Sequence, residues 1–195
     1  MAAAIAPETP EVMRPRPLLE HGCGPLTLDD WYALPETPDR YELLHGMLIM
    51  VPPPGGAHQS AVAVVASSLL GASGNGFAWT RIGVGLSASL GFEPDVSHVA
   101  ATHMDRYTTR GIEGPPDIVV EVLSPSTREY DRTTKLPIYL AFGVREVWLV
   151  DPLAETLEVH APGREVRRVK FGEHIPSDVV DVGSAGLEFL PQPSS

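Results

Sequence analysis

The sequence predicts an α/β domain, in the α+β sense of a mixed central sheet, and three observations carry that expectation. Apolar residues recur at helical spacing in residues 57 to 70, and a second short helix is expected over 131 to 142. Short β-prone runs bounded by turn residues lie before, between and after these stretches. The order helix, several strands, helix, strand belongs to a layered fold built on one sheet.

Each element has a local reason. Thr27 caps a helix running through residues 31 to 34, with Asp30 three positions on in a box-like arrangement. Residues 41 to 44 and 47 to 51 read as two strands around His45-Gly46, where glycine supplies a positive φ. The run Pro52-Pro53-Pro54-Gly55-Gly56 stops the second strand. In the helix of residues 57 to 70 the periodic set is Val62, Val65, Ala66, Leu69 and Leu70, and Gly71 is a natural terminator. Residues 79 to 90 alternate loosely (Ile82, Val84, Leu86) and suggest one strand weakened by glycines. Strands follow at 96 to 100 and 118 to 123. The helix of 131 to 142 ends at Gly143, and its Pro137 is harmless if that helix begins near Thr133. Residues 146 to 150 form a strand closed by Asp151-Pro152. Residues 156 to 160 and 165 to 171 make a hairpin around Pro162-Gly163.

The 195 residues suffice for one domain with a real core. Residues 1 to 24, rich in Ala, Pro and Glu, are expected to be disordered. Residues 25 to 190 form a single domain, and 191 to 195 a tail. A hydrophobic fraction of 43% and a charged fraction of 20% match a soluble globular protein. The single cysteine, Cys23, excludes an internal disulfide framework and a Cys-based zinc site, and is read as inert. No segment approaches the roughly 20 apolar residues that span a bilayer, and residues 1 to 5 are too short for a signal segment. The cytoplasm is the expected location. A net charge of −11 argues against a passive DNA coat, since phosphate binding draws on basic surface. It leaves room for an enzyme whose acids carry magnesium.

The most informative stretch runs from Pro116 to Ser126. It sets Glu121 inside an otherwise apolar strand, where an unpaired carboxylate would cost several kcal/mol. A lysine or a metal ion must compensate it. A second acid, Asp95, sits in a similar run, with Pro94 favouring a strand start. Asp117 and Glu121 share a strand face but lie roughly 13 Å apart at about 3.3 Å per residue, too far to bind one ion directly. Asp95, on a neighbouring strand, approaches Glu121 at about the 5 Å inter-strand spacing. Two acids with water oxygens suit Mg²⁺ or Mn²⁺, and a nearby lysine would complete such a site. The bland alternative is a buried salt bridge with Lys135 or Arg128.

These residues resemble the PD-(D/E)XK nuclease superfamily and, more narrowly, the bacterial Uma family of putative restriction endonucleases. The matching runs are residues 41 to 46, His58-Gln59, Pro94-Asp95-Val96 and the block from Pro116 to Ser126. Tyr130-Asp131-Arg132, Lys135-Leu136, Tyr139, Gly143-Val144 and residues 146 to 151 complete them, so the likeness spans roughly residues 27 to 190. The resemblance implies a restriction-endonuclease-like core with flanking helices and extra strands, and Mg²⁺-dependent phosphodiester hydrolysis with Mn²⁺ as a substitute. It implies a nucleic-acid partner, with DNA expected, and by analogy a homodimer.

Carried onto this chain, Asp95 is the acid of the Pro-Asp motif and Glu121 the acid of the Glu-x-Lys motif. Leu123 stands where that motif wants lysine, and Lys135 on the following helix is the match. Glu42 is a third candidate metal acid, against the reading of an exposed hairpin charge. Asp131 and Arg132 read as a cap and its ion-pair partner. Asp117 reads as a strand-start acid, and His58 and Gln59 as packing or capping residues. A catalytically silent binding or scaffold module on the same fold is the rival reading. A hydrolase of small phosphate esters is a weaker one.

Overall fold

The computed structural model describes residues 24–35, 39–72 and 76–190. Cys23, the rest of the N-terminal segment before Gly24, and the tail from residue 191 lie outside the described residues. Helix α1 (Leu28–Tyr32) is capped as the sequence predicts. The Thr27 hydroxyl accepts from the Asp30 amide, and the Asp30 carboxylate accepts from the Thr27 amide at 2.8 Å. This helix buries Trp31 against Leu43 and Leu48. Strands β1 (Arg40–Leu44) and β2 (Met47–Val51) form the expected hairpin. Its two-residue turn has positive φ at both His45 and Gly46, the geometry that matches the twist of the flanking strands.

Helix α2 (Gly56–Ala72) runs through Gly71 rather than stopping there. The expected single strand over residues 79 to 90 is instead three strands: β3 (Gly76–Thr80), β4 (Val84–Ser87) and β5 (Leu90–Phe92). Arg81, at φ +52, turns the chain out of one sheet, so the loose alternation spans two different sheets. Strand β6 (Val96–Ala100), a short 3₁₀ turn (Ala101–Arg106), β7 (Ile112–Glu113) and β8 (Ile118–Val122) follow.

The second helical segment starts earlier than residue 131. It comprises α3 (Arg128–Tyr130), a π turn (Asp131–Lys135) and α4 (Leu136–Ala141). The Leu136 amide closes the π turn on the Asp131 carbonyl. Pro137 then falls directly after the π turn, inside a helical segment that begins at Arg128 rather than near Thr133, so it sits at a helical irregularity of the kind where prolines occur. Strands β9 (Glu146–Asp151), β10 (Thr156–His160) and β11 (Arg167–Lys170) end the sheet.

The strands make two sheets, ordered β2-β1-β5-β4-β7 and β11-β10-β9-β8-β6-β3, each mixed. Strand β8 reads Ile-Val-Val-Glu-Val and is buried on both faces, as a central strand with a parallel neighbour requires. Ile118, Val120 and Val122 pack with Trp148 beneath α2. Val119 and Leu123 pack with Phe92, Tyr139 and Leu149. Each such buried side chain contributes on the order of 1.5–3 kcal/mol. Glu121 is the one charged residue in β8, held on the second of these faces. Among the described residues no helix is long and apolar enough to cross a membrane.

Candidate functional site

Strand register brings the two predicted acids together. Antiparallel pairing of Val96 with Val120 sets residue 95 across from residue 121. Asp95, just before β6, accepts a hydrogen bond from the Val122 amide at 2.8 Å. His58, near the start of α2, places Nε2 3.0 Å from the same Asp95 oxygen. The histidine read as a packing or capping residue thus holds an acid of the site.

Lys135 enters from the π turn. Its ammonium lies 2.6 Å from Glu121 Oε1, 2.8 Å from Glu42 Oε1 and 3.8 Å from Asp131 Oδ1. The Tyr139 hydroxyl, one helical turn on, donates to Glu121 Oε1 at 2.7 Å. Glu42 is buried, not the exposed hairpin charge of the alternative reading, because the first sheet folds β1 over the second helical segment. Asp131 likewise is no surface cap but a buried member of the cluster, and Arg132 pairs with Glu158 instead. Arg128 pairs with Asp151. Asp117, also buried, lies apart from the cluster. It accepts from the Ala100 amide at 2.8 Å and meets His103 and Arg145.

Three buried carboxylates, Glu42, Glu121 and Asp131, therefore surround one buried ammonium, and a fourth, Asp95, lines the same cleft while paired with His58. Burial pushes the Glu121 carboxyl up to about 8, and the charges of Asp131, Asp95 and Glu42 add to that, against the pull of Lys135. Burial also raises Asp131, to about 6, with Glu42 and Asp95 contributing and Lys135 opposing. Burial alone would lower Lys135, but Glu121 and Glu42 outweigh it and hold the ammonium well above its usual value. Asp95 goes the other way, because its bonds from His58 and Val122 outweigh burial. The cluster carries more negative charge than its own cation neutralises.

The donor chemistry fits a divalent ion. The donors are hard carboxylate oxygens, and Glu42 Oε2 is buried without a hydrogen bond of normal geometry. Among the described residues no three His, Cys, Asp or Glu side chains converge as a ready-made cage. Two protein carboxylates and water are a normal set for Mg²⁺. Asp95, Glu121, Asp131 and Lys135 share a narrow cleft of about 30 Å³. A far larger cavity of about 490 Å³, beside Trp31 and Arg110, holds none of them.

A family model described as "Uma2: Putative restriction endonuclease" matches residues 28–186, most of the chain and all of the cluster. The chain belongs to the Uma2 family. Among solved structures, the Uma2 chain is similar to one described as a putative nuclease belonging to DUF820 from Anabaena variabilis. That likeness has a TM-score of 0.71 at 23% identity, covering 84% of this chain and 97% of the other. At that identity it establishes the fold, which is restriction-endonuclease-like. No curated protein matches the sequence. Tyr139, already among the matching residues, carries a second signal in its spacing of four residues from Lys135, which puts both on one helix face.

Proposed function

We propose that this Uma2 protein is a Mg²⁺-dependent endodeoxyribonuclease, with Mn²⁺ as a substitute, acting in the cytoplasm as a homodimer. Family membership supports nuclease chemistry and the use of a divalent metal. The observation that carries the reading is the surplus of buried carboxylate around Lys135, with Glu121 raised to about 8.

Asp95 and Glu121 would hold the ion, with Glu42 as a third acid beside them. When bound, the ion supplies positive charge to the scissile phosphate and Lewis-acid activation to the attacking water. His58 keeps the Asp95 carboxylate oriented. Tyr139 fixes the Glu121 oxygen that faces Lys135. Lys135 keeps the acid cluster compensated, and its compact ammonium adds charge against the phosphate during attack. The homodimer is proposed by analogy with nucleases of this kind.

A silent binding module is the second reading, favoured by the way Lys135 already fills the space between Glu42 and Glu121. Plasmid cleavage with Mg²⁺ or Mn²⁺, together with Mn²⁺ calorimetry, separates the two. The nuclease reading expects Asp95→Ala and Glu121→Ala each to abolish metal-dependent cutting while the circular dichroism stays native. Equal cutting by wild type and both variants rejects the assignment, and absence of a stoichiometric Mn²⁺ site dependent on Asp95 favours the module.

A further inference from the structure

We infer that Phe77, Trp79 and Tyr107 form a stacking platform for unpaired bases, which would make the substrate a nucleic acid with single-stranded character. This rests on the nuclease reading above and deepens it. Strand β3 is an edge of the six-stranded sheet. Phe77 and Trp79, two residues apart on it, share a face, with ring centroids 4.7 Å apart. Tyr107 stacks on Trp79, also at 4.7 Å and 26° between planes. Phe77 and Tyr107 are each 46% exposed.

A row of exposed aromatics on a sheet edge is a liability unless something covers it. Its surroundings say what. Trp79 pairs across the strands with Ser97, two residues from Asp95. Arg81, just past the end of β3, donates its amide to the Asp95 carbonyl. Arg81 forms no ion pair among the described residues, and its backbone is held at φ +52, a conformation non-glycine residues seldom adopt. Arg106, adjoining Tyr107, donates to the Pro115 carbonyl and likewise meets no carboxylate. Most other described arginines are locked to acids, so the platform is flanked by two whose charge is left over. An apolar protein partner would leave both guanidinium groups without counter-charge. A single strand supplies bases for the exposed rings of Phe77 and Tyr107, at either side of Trp79, and a phosphate for each arginine, with the backbone led toward Asp95. Stacking of this kind tolerates any base, and duplex DNA withholds its base faces.

The test is fluorescence anisotropy with the full chain and a labelled oligothymidylate of about 16 nucleotides, the upper site size for such platforms. Chelator is present, so cleavage plays no part. We expect salt-dependent binding tighter than to a duplex of equal length, and quenching of tryptophan emission. Phe77→Ala and Tyr107→Ala, both at exposed positions and checked for fold by circular dichroism, should each weaken it about ten-fold or more. Trp79→Phe should keep most of it. Equal affinity in both alanine variants, or preference for duplex, overturns the inference. So does conversion of a dimer to monomer by Phe77→Ala with oligonucleotide affinity unchanged. Cleavage by a protein whose binding ignores Phe77 would remove the platform and leave the nuclease reading. Phe77-dependent binding without any cleavage would do the reverse.

Discussion

Lys135 Nζ lies 2.6 Å from Glu121 Oε1, so an ammonium carried on a helix meets an acid carried on a central strand. Leu123, two residues beyond Glu121, is buried among apolar neighbours and has no room for a charge. The π turn supplies the missing cation from the crossover segment. The same contact compensates Glu42, which comes from the other sheet, so one lysine ties both sheets together.

Lys135→Met should therefore act on stability as well as on cutting. Removing one partner of a buried pair typically costs about 3–5 kcal/mol, because the other charge is stranded. The loss should be largest near pH 8, where the acids are most ionised, and smaller near pH 5, where Glu121 and Asp131 take up protons. Urea unfolding at both values checks this. A variant as stable as wild type at pH 8 would mean that Lys135 is not the cation compensating the cluster.

Tyr139→Phe removes a single hydroxyl and keeps the ring, which packs edge-on to Phe92 at 5.4 Å. Above about pH 8, where Glu121 is ionised, a hydrogen bond to it contributes roughly 1.5–3 kcal/mol. The expected outcome is a loss of that size in unfolding free energy with near-native spectra. If Tyr139 serves only as packing, the phenylalanine variant should unfold at the same denaturant concentration as wild type.

The acids were legible in the sequence to different depths. Asp95 and Glu121 stood out because a carboxylate in an apolar strand demands a partner, and strand alternation fixes which face it takes. Lys135 was legible through its motif match. Glu42 was not settled, because a lone hairpin does not reveal that a second sheet will bury it. Asp131 was misread as a cap because the helical segment begins at Arg128, upstream of where its pattern starts. His58 acts across the end of the sheet, a contact no sequence spacing encodes. The break at Arg81 was missed because glycines there matched a weak strand equally well.

Glu121→Gln tests the raised acid through pH alone. Its carboxyl moves from a usual value of about 4.5 to about 8, so the folded protein binds this proton more tightly than the unfolded chain. The resulting stability is fully present below about pH 4.5 and is lost as pH rises through about 8. Glutamine, neutral throughout, should flatten that decline in the metal-free protein. Urea titrations at half-unit steps across this window measure the slope. An unchanged decline in the variant would place the titrating group elsewhere.

Glu158 should show the opposite sign. Its carboxylate is buried on β10, and Arg132, Arg168 and His160 converge on it at 2.6–3.0 Å. Burial would raise it, but those hydrogen bonds outweigh burial and bring it down to about 2. Its contribution is thus present above the usual value of about 4.5 and is lost as pH falls toward 2. Glu158→Gln should be less stable than wild type at pH 7, by roughly 1–3 kcal/mol, and the gap should close on acidification. Because Arg132 is only partly buried and can rehydrate, the loss should be smaller than for Lys135→Met. The same urea series extended to pH 2 gives both numbers, and a gap that persists at pH 2 would show that the glutamine disturbs packing rather than charge.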